Sequence, residues 1–251
     1  MKALAGKVAI VTGAGQGVGL GIAQAMADSG ANIVITGRDA AKLERAAADI
    51  RARGVEALVC PGDVRERGSA DRTVAATVAR FGRLDILVNN AQIAVIGKPL
   101  SDFDDENIMA VIGSGLLGSL YFMQAALPHL KVRGGSIINL GSYEGIHGSK
   151  GSGIYAATKE GIRGLSRTAA REWGEFKIRV NVLNPAALSP GAVEFLESHP
   201  KEAEMYRANI ALGYFGDSEA DIGPVAVFLA SDAGRYVTGQ TINVDGGQAM
   251  L

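Results

Sequence analysis

Seven short runs rich in Val, Ile and Leu alternate with longer stretches of helical period, and this alternation constrains the fold more than any other feature. The runs are Lys7–Thr12, Asn32–Gly37, Val55–Cys60, Leu84–Asn89, Ser136–Leu140, Arg179–Leu183 and Thr241–Val244. Helical stretches separate them: one ending near Ser29, then Asp39–Arg53, Arg65–Phe81, about Asp104–Leu130, about Gly153–Phe176 and about Glu219–Ala230. Strands that are apolar throughout, without polar alternation, suit a parallel sheet covered by helices on both faces. Strict strand–helix alternation with right-handed crossovers predicts a doubly wound α/β fold with a seven-stranded parallel sheet. Nothing in the composition marks a linker, so residues 1–251 are expected to form one domain. The longest interruption, Asn184–Asp217, carries Pro185, Pro190 and Pro200. Loops of that length in a compact domain are usually functional, and residues 186–216 are read as a substrate lid.

Composition narrows the partners. A net charge of −1 gives no electrostatic basis for binding nucleic acid or an anionic membrane. The single cysteine, Cys60, cannot form an intramolecular disulfide, which suits a reducing compartment, and it reads as a buried structural thiol. The apolar run Val8–Val11 is too short for a signal sequence. No apolar stretch is expected to reach the roughly 18 residues of a membrane span, so a cytoplasmic protein is expected.

The turn Thr12-Gly13-Ala14-Gly15-Gln16-Gly17-Val18-Gly19 follows the first strand and opens the first helix. Glycines there let the backbone approach a pyrophosphate, and the helix N-terminus offers free N–H groups and partial positive charge. A glycine-rich turn alone is weak evidence; its place between strand and helix strengthens the reading of a Rossmann dinucleotide site. The second strand ends Ile35-Thr36-Gly37-Arg38, without the carboxylate that binds a ribose 2′-hydroxyl. Arg38 can fork onto a 2′-phosphate, which favours NADP(H) and leaves NAD(H) open. The competing reading of Arg38 is a solvated side chain paired with Asp39.

Tyr155-Ala156-Ala157-Thr158-Lys159 sets a phenol and an ammonium one helical turn apart on one face. The lysine charge favours phenolate and is expected to lower the tyrosine pKa, making Tyr155 a general acid or base for a carbonyl/alcohol pair. Ser142 lies just past the strand Ser136–Leu140, at the carboxyl end of the sheet where ligands of open α/β folds bind.

Taken together, these motifs resemble the short-chain dehydrogenase/reductase family over nearly the whole chain. The likeness rests on the glycine turn, Asp63-Val64, Asn89-Asn90-Ala91, Ser142, and Tyr155 with Lys159, all in the family's order. It extends through Phe228-Leu229-Ala230-Ser231-Asp232, Thr238-Gly239-Gln240 and Val244-Asp245-Gly246-Gly247. The resemblance implies that Gly13, Gln16, Gly17, Val18 and Gly19 hold the cofactor, and that Asp63 accepts from the adenine amino group beside the Val64 backbone. It implies that Asn90 holds the central sheet and borders the cofactor ribose, and that Lys159 binds the nicotinamide ribose and tunes Tyr155. Tyr155 passes the proton while Ser142 hydrogen-bonds the substrate oxygen. The backbone from Pro185 to Leu188 contacts the carboxamide, and the stretch after Pro190 forms the lid. A homotetramer or homodimer is implied by the same analogy.

Three departures from the family pattern stand out, the second of them covering two residues. Gln92 stands where the tetrapeptide after strand four normally ends in glycine, and Ala186 follows Pro185 where glycine is usual, with Pro190 in place of a common threonine. The family's catalytic asparagine, which implies a water linking the lysine to solvent, falls on Gly115. Its carbonyl or the neighbouring Ser114 could hold that water instead. Glycine weakens a helix by up to about 1 kcal/mol relative to alanine, so a bend or break is expected near Gly113–Gly115.

The function implied is an NADP(H)-dependent carbonyl reductase or alcohol dehydrogenase. Ile93, Ala94, Val95 and Ile96, with lid residues Ala192, Val193, Phe195 and Leu196, favour an apolar or moderately polar substrate. The alternative is a catalytically impaired cofactor-binding sensor or assembly protein, favoured by Gly115 and Gln92. His129, His147 and His199 lack metal-like spacing, so no metal site is expected. Asp102, Asp104, Asp105 and Glu106 read as a helix N-terminal cluster.

Overall fold

The computed structural model describes residues 2–187, 193, 196–198, 204 and 207–250. Seven parallel strands form one sheet: β1 Val8–Thr12, β2 Asn32–Gly37, β3 Ala57–Pro61, β4 Ile86–Asn89, β5 Gly135–Leu140, β6 Ile178–Pro185 and β7 Thr241–Val244. Their order across the sheet is β3-β2-β1-β4-β5-β6-β7. The order reverses between β1 and β4, which pair through Ala9 with Ile86 and Val11 with Val88. Open sheets of this kind bind ligands in the crevice above such a switch point.

The strands are apolar on both faces because two cores share them. Ala9, Val11, Ile33 and Ile35 pack with Ile22 and Met26 of α1 (Gly17–Asp28), Leu43 of α2 (Ala40–Arg51) and Leu229 of a C-terminal helix, Gly223–Ala230. Val8, Ile10 and Val34 point the other way, against Val74 of α3 (Arg67–Phe81) and against Phe122 and Met123. Alternate residues of one strand thus enter opposite cores, the period-two geometry of a pleated strand.

The helical stretch expected at Asp104–Leu130 is not one α-helix. It divides into α4 (Asp105–Ile112), a π-helical segment Gly113–Leu117, and α5 (Gly118–Leu130), so the interruption falls where the glycines lie. Asp104 caps α4, its side chain accepting from Asn107 N at 2.7 Å, as expected for this acidic cluster. The run Asp105–Leu130 also corrects the expectation about apolar length. It holds an 18-residue window of mean hydropathy 1.5, long and apolar enough by length and composition to cross a membrane. Its Gly, Ser and Tyr residues interrupt an apolar run without making it hydrophilic. In the fold Val111, Phe122, Met123, Ala126 and Leu130 of this run are buried, so part of its apolar length packs in the core.

Strand ends shift by up to two residues from the sequence reading, and β7 coincides with it. The short helix α6 (Tyr143–His147), directly after Ser142, was not expected. α7 spans Gly153–Trp173, and α8 (Gly223–Ala230) follows a π-helical segment, Ser218–Ile222, in place of a uniform helix. Cys60 lies half-buried on β3, where burial raises its thiol pKa. Of the expected lid, Pro190, Ala192, Phe195, His199 and Pro200 lie outside the described residues.

Candidate active site

A cleft of about 800 Å³ opens above the switch point, lined from Arg38 and Asp63 past the glycine turn to Asn90, Gln92 and Ser114. The turn takes its shape from two constraints. Gly13 has φ +68°, in the left-handed region where glycine is favoured. A Cβ on Gly19 would lie 2.4 Å from Asn90 Nδ2 and 2.9 Å from the Gly13 carbonyl. The Asn90 amide fills that space, donating to Thr12 O at 2.9 Å and Gly13 O at 3.3 Å. The Thr12 hydroxyl in turn accepts from the backbone N–H groups of Asn90 and Ala91. Asn90 therefore ties the loop after β4 to the glycine turn; Asn89, bonded to Asn139 at 2.8 Å, ties β4 to β5. Gln16 precedes α1 without capping it through its side chain, which leaves first-turn N–H groups without a side-chain acceptor from Gln16, and Gly17 and Val18 line the cleft.

At the other end of the cleft, Asp39 is occupied in capping α2, accepting from Lys42 N at 3.0 Å. That hydrogen bond is the main reason its carboxyl sits below the ordinary range. Arg38 takes part in no ion pair among the described residues, so the pairing with Asp39 considered as its competing role is not formed. Lys42, also lining the cleft, reaches back to Gln16 Oε1 at 2.9 Å. Asp63 is clasped by Arg65, with Oδ2 2.6 Å from Nη2. This hydrogen bond lowers the Asp63 pKa most, and the nearby Arg38 charge adds to the effect. The backbone of Val64 packs against Gly118 of α5.

Ser142, Tyr155 and Lys159 come together at the carboxyl end of β5. Ser142 caps α6, its hydroxyl accepting from Glu144 N at 3.1 Å. Tyr155 sits in the first turn of α7, with Ser142 among the groups that act on its phenol. Lys159, only 4% exposed, donates from Nζ to Leu140 O at 2.7 Å and lies 5.5 Å from the centre of the Tyr155 ring. Burial pushes its ammonium down to about 7. The expected lowering of the Tyr155 pKa is reversed here: burial raises it, the polar influence of the Ser142 side chain offsets part of the rise, and the Glu144 carboxylate adds to it. Desolvation outweighs the lysine because the lysine is itself desolvated.

The loop after β4 is stitched to the interrupted helix. Gln92 Nε2 donates to Ile93 O and to Val111 O, and Ser114 Oγ accepts from Ile93 N at 2.9 Å. A side chain that takes a carbonyl from the i→i−4 ladder is a recognised cause of a helix irregularity, and Val111 lies in the turn before the π-helical segment. After β6, Ala186 N donates to Val244 O at 3.0 Å, holding the Pro185 turn against β7. Leu188, expected at the carboxamide, lies outside the described residues.

A family model described as enoyl-(acyl carrier protein) reductase matches residues 13–249. The chain is 43% identical over 249 residues to a 12alpha-hydroxysteroid dehydrogenase of a Clostridium species, covering 96% of both chains. This chain belongs to the short-chain dehydrogenase/reductase family. It is 36% identical over 250 residues to the 3-oxoacyl-[acyl-carrier-protein] reductase FabG of Staphylococcus aureus, covering 97% of this chain and 98% of that one. Its fold superposes on an NAD+-bound xylitol dehydrogenase with a TM-score of 0.92 at 29% identity, covering 98% of this chain and all of the other. As a short-chain dehydrogenase/reductase it carries out NAD(P)-dependent oxidation or reduction of a CH–OH/C=O pair on a small molecule.

Three site residues escaped the sequence reading of this short-chain dehydrogenase/reductase. Lys42 lies one turn into α2, and a lysine there is indistinguishable from a solvated one until it reaches Gln16. Glu144 became visible only with helix α6, where it also accepts from Ser149 N and Oγ. Asn139 is buried between Asn89 and Ser166, bonding the latter at 2.8 Å; its place inside a strand is the only sequence signal.

Proposed function

We propose that this chain is an NADP(H)-dependent oxidoreductase interconverting a ketone and a secondary alcohol, with Ser142, Tyr155 and Lys159 as its catalytic residues. The observation that carries the reading is the buried Lys159 ammonium set beside the Tyr155 ring, with Ser142 at the same end of β5 acting on the phenol. A nicotinamide cofactor fits the cleft: Asn90 has taken the volume of side chains at Gly13 and Gly19, and the N-terminus of α1 is free for a pyrophosphate. Gly13, Gln16, Gly17, Val18, Gly19, Asp63, Val64, Asn90 and the backbone from Pro185 would hold it, with Arg38 and Lys42 on a 2′-phosphate. When bound, the cofactor gives or takes the hydride.

In reduction, Ser142 and Tyr155 donate to the substrate oxygen and Tyr155 passes its proton as that oxygen becomes an alcohol. The raised pKa keeps the phenol protonated near neutrality, which suits a general acid. Lys159 stabilises the phenolate left behind. In oxidation the phenolate takes the proton back. The 43% identity to a hydroxysteroid dehydrogenase and the apolar loop Ile93–Ile96 support an apolar secondary alcohol as substrate. The same reading has one domain, a cytoplasmic setting and a homotetramer or homodimer.

The test is NADPH consumption with cyclic and open-chain ketones, repeated with NADH. Tyr155→Phe is expected to lower kcat/KM by about 100-fold or more. Arg38→Ala is expected to raise KM for NADPH about tenfold, the loss of one charge-assisted contact, and to leave NADH nearly unchanged. Turnover that survives Tyr155→Phe overturns the proton assignment, and a preference for NADH overturns the role given to Arg38.

A further inference from the structure

One carboxamide builds the wall of the cleft between the loop after β4 and the interrupted helix. Gln92 Nε2 donates to Ile93 O at 2.9 Å and to Val111 O at 3.0 Å, which fixes the amide and turns Oε1 the other way. A Cβ on Gly115 would lie 2.1 Å from that Oε1, 2.8 Å from Gln92 Cδ and 2.5 Å from Thr158 Cγ2. The carboxamide therefore occupies the volume that a side chain at 115 would need. Gln92 Oε1 is buried and has no hydrogen-bond partner among the described residues. A buried acceptor without a donor calls for an explanation.

The surroundings point to one. Thr158, which flanks the shared space, is the residue before Lys159 in α7. Lys159 carries three donor hydrogens, and among the described residues its only hydrogen-bond acceptor is Leu140 O. Ser114, the other polar side chain on this wall, is already used: its hydroxyl donates to Ala110 O at 2.7 Å and accepts from Ile93 N. A spare buried acceptor thus borders the same space as Thr158, a spare buried donor is carried by the next residue of α7, and Gly115 has no side chain to join them.

We propose that Gln92 is a positioning residue for proton return to Tyr155, its Oε1 accepting a hydrogen bond from a water that in turn accepts one from Lys159. This rests on the oxidoreductase reading above. Each carbonyl reduced takes one proton from the Tyr155 phenol. That proton is replaced through the Lys159 ammonium, and the amine is recharged through the water, so one solvent proton enters and no other bond changes. Positions 92 and 115 then act as one unit, with the side chain supplied from the loop.

A reciprocal exchange tests this, using Gln92→Leu, Gly115→Asn and the double variant Gln92→Gly with Gly115→Asn. Each is measured by thermal melting without cofactor and by the pH profile of kcat with NADPH. Gln92→Leu keeps most of the volume and loses the amide. Its kcat is expected to fall about tenfold, with a shifted pH profile and KM values within about twofold of the parent. Gly115→Asn is expected to lower both melting temperature and kcat, and the double variant to recover both relative to Gly115→Asn. Gln92→Met replaces Gln92→Leu if the latter does not fold. Parental kcat and an unchanged pH profile in the amide-free variant overturn the proton role. Additive losses in the double variant overturn the shared space. The melting cycle needs neither substrate nor cofactor, so it can be read even if the oxidoreductase reading fails.

Discussion

Two amides on one loop, Asn90 and Gln92, each fill the space of an absent side chain, and they differ in how completely they are satisfied. Asn90 reaches toward Gly13 and Gly19 and spends its N–H groups on two carbonyls of the glycine turn. Gln92 reaches toward Gly115 and spends its N–H groups likewise, but its oxygen has no donor among the described residues. The first wall is closed by hydrogen bonds between parts of the chain. The second holds one unfilled acceptor against the helix of Lys159. A glycine in this cleft is thus explained by the neighbour that displaces its side chain, and the state of that neighbour separates a scaffold from a working surface.

The contrast can be broken most sharply at Gly19. Gly19→Ala sets a methyl 2.4 Å from Asn90 Nδ2 and 2.9 Å from a backbone carbonyl, and neither can yield without loss of a hydrogen bond. Overpacking of this kind costs about 2–3 kcal/mol, and urea unfolding should record it together with lost NADPH binding. A Gly19→Ala protein as stable as the parent would mean that the turn is softer than its geometry implies.

A smaller effect is expected at Gly115. Gly115→Ala meets only side-chain atoms, the far end of Gln92 and a threonine methyl, which shift more readily than the backbone carbonyl met at Gly19, so the cost is about 1 kcal/mol. The same unfolding measurement compares the two sites. An equal or larger loss at Gly115 would erase the distinction between the walls.

A separate probe of the second wall is a pH dependence of stability from Lys159. Its folded pKa lies near 7 and its ordinary value near 10.5. Between those values the unfolded chain binds a proton that the folded chain does not, so stability rises with pH across that window. Below about 7 the folded protein must also carry the buried charge, and that gain is absent. The melting temperature of the cofactor-free protein should climb from pH 7 toward alkaline pH relative to Lys159→Met. Parallel curves for the two proteins would show that the ammonium is better solvated than its burial suggests.

Much of this arrangement was legible in the sequence because it rests on local pattern. The order of strands and helices follows from hydrophobic period, and β7 coincides with its expected limits. The weak point at Gly113–Gly115 follows from glycine's low helix propensity. What replaced the helix there did not follow, because the π-helical segment accompanies a Gln92 amide taking the Val111 carbonyl, a contact between residues 19 apart. Lys42 was missed for a similar reason: its partner Gln16 is 26 residues away. The direction of the Tyr155 shift depends on how deeply the phenol is buried, and spacing along a helix carries no information about that. Sequence reading placed the groups, and tertiary contact set their states.

The interior position of β1 has a consequence for how the chain is made. Its neighbours are β2 and β4, and Val8 N donates to Asp85 Oδ2 across 77 residues. Until β4 has been synthesised, β1, an interior strand of the finished sheet, presents an open edge, the kind of surface that pairs indiscriminately. At roughly 5–20 residues per second, a ribosome leaves that edge bare for several seconds. The switch point that later forms the cleft is therefore also the last seam to close in the amino-terminal half, and the long-range pairing it needs slows folding relative to a helical bundle of equal length.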